Sequence, residues 1–153
     1  MFITQQSLAA LAAEAASSSR RRRNRNFHGA DTDAAHRLLN AVEPDSYVRP
    51  HRHLDPAKAE SIIALRGRFG VVLFDPAGTV TAARVIAPAS DTVGVNVPHG
   101  TFHTVVALEP DSVFFEAKAG PYIPLEEAEK APWAPAEGAD GAGHYLEALR
   151  RLF

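Results

Sequence analysis

From Arg37 onward the chain is a succession of short extended runs cut apart by turn-forming residues, and that rhythm leaves few folds open. The runs span residues 37–42, 47–53, 61–65, 70–74, 80–86, 92–97, 104–108 and 113–118, each rich in Val, Ile, Leu or Phe. Between them stand Glu43-Pro44-Asp45, Arg66-Gly67-Arg68, Asp75-Pro76-Ala77-Gly78, Pro98-His99-Gly100 and Glu109-Pro110-Asp111. Pro presets a turn dihedral, Gly supplies positive φ, and Asp bonds its own backbone, so each cluster reads as a turn between strands. Many short strands at near-regular spacing predict an all-β sandwich or barrel. No period of solenoid type is present.

The ends of the chain read differently. Residues 4–16 are rich in Ala, Leu, Gln and Glu, with Thr4 or Ser7 available as a cap, and Leu8, Leu11 and Ala12 share one face. This predicts a short amphipathic helix ending at Ser17-Ser18-Ser19. After Lys118 the sequence turns irregular and Pro-rich, and Trp133 is expected to pack this tail onto the β domain. Tyr145, Leu146, Leu149 and Leu152 recur at helical spacing, predicting a C-terminal helix over 144–152. The chain therefore divides into an N-terminal helix and Arg-rich arm (1–30), a β domain (31–125) and a tail with its helix (126–153).

Composition narrows the function classes. With 153 residues, 46% of them hydrophobic, the chain can bury a core and is not disordered. There is no Cys, so disulfides and thiolate metal sites are excluded, and any ion must sit on His, Asp, Glu or carbonyl oxygen. No apolar run reaches the roughly 20 residues of a membrane helix, and no basic segment precedes an apolar one at the N-terminus. A cytoplasmic location is expected. Arg20, Arg21, Arg22, Arg23 and Arg25 form the one strong charge run. With a net charge of −2 and no interleaved aromatics, a solvated or carboxylate-paired arm is favoured over nucleic-acid binding. An anion-binding rim at a barrel mouth is a third reading, because guanidinium forks suit carboxylate and phosphate.

The chemistry concentrates in two stretches, Pro50-His51-Arg52-His53 with Glu60 after it, and Pro98-His99-Gly100-Thr101-Phe102-His103. Residues two apart on a strand share a face, so His51 and His53 project together. Glu60 opens the next apolar run and His103 the strand after a Pro-x-Gly turn. Three imidazoles and a carboxylate without sulfur suit Zn, Mn, Fe, Ni or Co. By the same alternation Tyr47 and Arg49 share the face of the histidines, making both candidate substrate-binding residues, Arg49 by gripping an anionic group. Glu116, set in the apolar run 113–115, needs a partner there and is a candidate acid–base residue, structurally a mate for Arg49 or Lys118. Tyr122 follows that strand and is a second candidate catalytic residue, placed to move protons or to cover the cavity. His28 and His99 are further imidazoles not expected to be ligands.

These stretches resemble the two motifs of the cupin superfamily. In the first, G-x5-H-x-H-x3–4-E-x6-G, the chain supplies His51, His53, Glu60 and Gly67, with Asp45 in place of the leading Gly and six residues between His53 and Glu60. In the second, P-x-G-x2-H-x3-N, it supplies Pro98, Gly100 and His103, with Ala107 in place of Asn. Longer segments, at residues 37–44, 46–53, 106–116 and 120–122, resemble the WbuC family of cupin-fold metalloproteins, found in bacterial polysaccharide (O-antigen) gene clusters. The resemblance implies a cupin-type double-stranded β-helix, or jelly-roll barrel, flanked by the two helices, with a divalent metal ion inside. It supplies no substrate. The expected function is a metal-dependent enzyme acting on a small polar or sugar-derived molecule, either an isomerase or epimerase or an Fe(II) oxygenase. The alternative is a non-catalytic metabolite-binding or structural module. Cupin barrels often pair, so a homodimer is expected.

Overall fold

The computed structural model describes residues 2–153. Helix α1 (Gln5–Ser17) begins where Thr4 and Ser7 cap each other, Ser7 N–H donating to Thr4 Oγ1 at 3.1 Å and Thr4 N–H to Ser7 Oγ at 2.9 Å. Leu8, Leu11, Ala12 and Ala15 are its buried stripe, at the i, i+3, i+4, i+7 spacing of one helix face. Eight strands follow: β1 (Arg22–Asn26), β2 (Ala35–Val42), β3 (Glu60–Arg66), β4 (Phe69–Phe74), β5 (Val80–Ile86), β6 (Gly94–Val97), β7 (Phe102–Ala107) and β8 (Ser112–Ala119). Helix α2 (Ala142–Arg150) comes last.

The strands form a five-stranded sheet in the order β1-β2-β8-β3-β6 and a three-stranded sheet in the order β5-β4-β7. Every pairing is antiparallel. The sheets pack face to face through Ile62, Ala64 and Phe114 of the larger and Phe69, Val71, Ile86 and Val105 of the smaller, with Phe69 and Phe114 edge to face at 5.2 Å. Helix α1 covers the outside of the larger sheet on Leu39, Ala41 and Val113. The tail and α2 cover the outside of the smaller sheet, with Trp133 and Leu146 against Val72, Phe74, Phe102 and Val106. Strands β4 and β7 are therefore buried on both faces, all six residues of β7 included, while the edge strand β5 stays largely exposed. Gly67 turns β3 into β4 at φ +70°, and a Cβ there would collide with the side chain and backbone of Ser112, so only glycine fits. Among the described residues no helix is long and apolar enough to cross a membrane. The architecture is the expected all-β cupin fold with a helix at either end.

Two expectations change. The segment 47–53 is extended but is not a strand. Pro50 has no N–H to give a ladder, and the segment is instead pinned by single bridges from His51 to His103 on one side and to Lys130 on the other. The arginine run, expected as an arm, supplies β1, an edge strand zipped to β2 from Arg22↔Val42 to Asn26↔Leu38. Backbone pairing is open to any residue, and charged side chains suit a sheet edge.

Candidate metal centre

The four residues singled out by the two motifs come together at one end of the barrel interior. His51 exchanges both backbone hydrogen bonds with His103, at 3.0 and 2.9 Å, which stacks the two segments side by side. His53 is held by Gly100 N–H donating to its carbonyl at 2.6 Å. Gly100 takes φ +76°, and this left-handed turn launches β7 with His103 facing inward. Glu60 stands at the start of β3 opposite Lys118 of β8 and Val97 of β6. Ring centroids are 4.7 Å apart for His51 and His103, 5.4 Å for His51 and His53, and 6.2 Å for His53 and His103.

The imidazoles are oriented from behind. The Nδ1 of His51 lies 3.1 Å from the carbonyl of Arg49, and that of His103 lies 2.9 Å from the carbonyl of Thr101. A carbonyl accepts only from an N–H, so these contacts put the proton on Nδ1 and leave Nε2 for the site. Glu60, 4% exposed, reaches His103 Nε2 at 2.6 Å through one oxygen and His53 Nε2 at 3.3 Å through the other. Both Nε2 atoms are buried, and neither contact is aligned as a hydrogen bond. Lys118 Nζ is 3.6 Å from Glu60 and 2.5 Å from Glu116, whose other oxygen accepts from Asn40 Nδ2 at 2.8 Å.

Charge settles unevenly here. Burial, and then the neighbouring His103, push His51 down to about 3. Burial also works to lower His103, but the Glu60 carboxylate beside it holds it above its ordinary value. Burial works to raise Glu60, and His103, His53 and Lys118 together hold it well below the usual carboxylate range. The cluster is thus an ion pair, Glu60 with His103, flanked by a neutral His51.

The donor set fits a borderline divalent ion: three nitrogens and a carboxylate, two of the nitrogens buried without an aligned partner, and two imidazoles held through Nδ1 with Nε2 turned to the site. Among the described residues, no three His, Asp or Glu stand as a ready metal-holding group. Glu60 instead divides its two oxygens between two imidazoles.

A cavity of about 370 Å³ opens onto His51, Glu60, His103, Glu116 and Lys118, with Asn24 and Asn40 on its wall and Arg20, Arg22 and Arg23 also lining it. A smaller one, about 180 Å³, borders His51, His53, Lys118 and Tyr122. Glu116 shares the larger cavity with the imidazoles; Tyr122, 58% exposed, stands at the smaller one. Neither Tyr47 nor Arg49 lines either of these two cavities. Strand alternation lapses at Pro50, Tyr47 turns into the apolar cluster with its hydroxyl donating to Pro135 O at 2.9 Å, and Arg49 donates to Ala131 O at 2.7 Å. His99 is exposed in its turn, and His28 stacks on His36 at 3.9 Å, apart from the centre. All five arginines of the run meet carboxylates: Arg20 and Arg22 on Glu137, Arg21 on Asp45, Arg23 and Arg25 on Glu14. Lys118 and Asn40 carry weight in the site that the motifs did not reveal. The available signal was strand alternation, which puts Lys118 on the same face as Glu116.

The fold is similar to that of KdgF from Halomonas sp., at 20% identity and a TM-score of 0.54, covering 70% of this chain and 85% of that one. It is also similar to the conserved SPY1581 protein of unknown function from Streptococcus pyogenes, at 10% identity and a TM-score of 0.51, covering 69% and 80%. A mutant oxalate decarboxylase from Bacillus subtilis matches at 16% identity and a TM-score of 0.50, covering 71% of this chain but 26% of that one. These likenesses carry the fold. No curated protein matches the chain. Residues 3–86, more than half of the chain, match the family model described as Domain of unknown function (DUF6016), and the chain belongs to that family.

Proposed function

We propose that His51, His53, His103 and Glu60 hold one divalent transition-metal ion, and that the protein is an enzyme acting on a small polar molecule in the adjoining cavity. The observation that carries this reading is the convergence of three imidazoles on one buried carboxylate, with two Nε2 atoms left without aligned partners. The cavity's size falls in the range of small-molecule sites. Bound there, an ion polarises a carbonyl or hydroxyl, or acidifies water.

The chain's own residues supply the rest. Glu116 is fixed by Asn40 and Lys118 with its carboxylate on the cavity, where it can take a proton from a ligand and return it. Lys118 offsets negative charge on Glu60 and Glu116 and offers a cation to an oxygen of the ligand. Tyr122 borders the second cavity, where its ring can shield the His53 side. Proton shuttling of this kind suits isomerisation or epimerisation, and the resemblance to the WbuC family favours a sugar-derived substrate of polysaccharide metabolism. A homodimer is proposed as the assembly, supported by exposed Ile63 of β3 and exposed Val93, whose carbonyl accepts from Ala64 N–H beside it; a monomer by light scattering at high concentration would overturn it.

The deciding experiment is metal analysis of protein purified without added metal, then reconstitution with Zn, Mn, Fe, Ni and Co. One equivalent of one ion, with turnover across a panel of sugar derivatives, is the expected result. Oxygen uptake after anaerobic Fe(II) loading would direct the chemistry to an oxygenase instead. A bound ion without turnover of any candidate would favour the non-catalytic metabolite-binding module, and failure to hold any of the five ions would overturn the reading.

A further inference from the structure

The imidazole cluster has another neighbour that the proposed chemistry leaves unused. A cavity of about 440 Å³ lies between the barrel and the Pro-rich tail. Arg20, Arg22, Arg49 and Lys130 line it, and Glu137 is its sole acidic lining residue. Lys130 is matched by Glu127 at 2.7 Å, which leaves three guanidinium groups to one carboxylate. Glu137 spans two of them: its Oε1 accepts from Arg20 Nε at 2.8 Å, and its Oε2 accepts from Arg20 Nη2 at 2.7 Å and Arg22 Nη2 at 2.6 Å. The third, Arg49, uses Nη2 on the carbonyl of Ala131, while its Nε is buried with no acceptor. A buried cationic donor left unmatched is unfavourable, so Arg49 carries unused hydrogen-bonding capacity beside the Arg20–Arg22 pair.

We propose that this cavity binds a small molecule bearing a carboxylate or phosphate group, and that Glu137 occupies the Arg20–Arg22 pair as an internal stand-in until the ligand displaces it. Planar guanidinium forks match both oxyanions, and paired forks hold them through charge-assisted bonds. Arg22 keeps its place without Glu137, because its Nη1 also donates to Ser46 Oγ at 3.2 Å and Tyr47 O at 3.0 Å. The Glu137 and Arg20 side chains are 37% and 63% exposed, and an ion pair so open to water contributes little, so exchange for an incoming anion is cheap. The two arginines hold Glu137 down at about 2, so it is charged and competes at every physiological pH. The two larger cavities share Arg20, Arg22, Val48 and His51, which places an anion held here next to the imidazole cluster. The inference stands whether or not a cation sits on Glu60.

The test is calorimetric titration of the full chain, at fixed ionic strength, with inorganic phosphate and with malonate. Saturable binding of one of them is expected, the tighter of the two identifying the headgroup. Glu137→Gln removes the competitor and is expected to tighten that binding by about tenfold. Arg49→Gln and Arg20→Gln are each expected to weaken it by about tenfold or more. No binding of either anion to the parent chain or to Glu137→Gln overturns the proposal, as does binding to Glu137→Gln no tighter than to the parent. Should Glu137→Gln fail to fold, the two arginine variants decide, and undiminished affinity in both overturns it.

Discussion

The barrel interior has a dry end and a polar end built on the same strands. Along β3 the inward row runs Glu60, Ile62, Ala64; along β8 it runs Lys118, Glu116, Phe114, matched residue for residue across the ladder. Along β7 it begins at His103 and continues to Val105 and Ala107, both in the dry core. Within two residues of each strand the lining passes from ionisable to apolar. Where Phe69, Ile62, Ile86 and Phe114 meet, the two sheets bury apolar surface and gain the usual stabilisation, about 25 cal/mol per Å². At the other end the same architecture buries Glu60, His53, His103 and Glu116, groups that are costly to desolvate unless matched. Stability belongs to the first end. The second is a place where the fold spends some of it to aim charge into a cavity.

That contrast can be broken, most sharply at the histidines. His51→Ala or His53→Ala is expected to abolish most of the metal loading achieved by the parent chain while leaving the far-ultraviolet circular dichroism unchanged; full occupancy by elemental analysis would refute the ligand assignment. Phe69→Ala at the dry end should do the reverse, costing about 3–5 kcal/mol in denaturant unfolding with metal stoichiometry intact in the folded fraction.

A subtler effect concerns pH. His103 is held above its ordinary 6.5, so its contribution is full below 6.5 and fades as pH rises through the raised value. Glu60 is held below its ordinary 4.5, so its contribution is full above 4.5 and fades as pH falls through the lowered value. The pair therefore stabilises the metal-free protein most between 4.5 and 6.5. Thermal melts of Glu60→Gln should lose that plateau, and identical pH profiles for parent and variant would remove the ion pair from the account. The smallest effect is expected far from both ends. Thr4→Ala removes one half of the reciprocal α1 cap and should cost about 1 kcal/mol with no change in metal uptake.

How far the sequence led follows from the same contrast. Strand positions were legible because turn chemistry is local: Pro, Gly and Asp at 44–45, 67, 76–78 and 110–111 fall where the strands break. His51, His53, Glu60 and His103 were legible as a group because their spacing belongs to a fold with strands at fixed offsets. What failed was inference that relied on regular alternation through an irregular stretch. Pro50 withdraws a ladder bond, Tyr47 enters the apolar cluster, and Arg49 turns to the tail, where it meets the carbonyl of Ala131. Lys118 was legible only as a mate for Glu116, since its closeness to Glu60 depends on β8 lying beside β3, a long-range pairing. The arginine run showed the opposite failure. Its side chains suggested an exposed arm, whereas its backbone completes a sheet.

The double bridge of His51 has a consequence for how the molecule comes apart. One side of that residue is fastened to β7 and the other to Lys130 in the tail, whose neighbours Trp133 and Leu146 seal the outer face of the smaller sheet. The tail is therefore a splint for the histidine loop as well as a roof for the sheet. Trimming the chain back to its barrel would uncover Val72, Phe74, Phe102 and Val106 and unfasten His51 in one stroke. Protease clipping in the exposed stretch 121–124, upstream of Lys130, should accordingly blunt cation uptake before the dry end of the barrel yields.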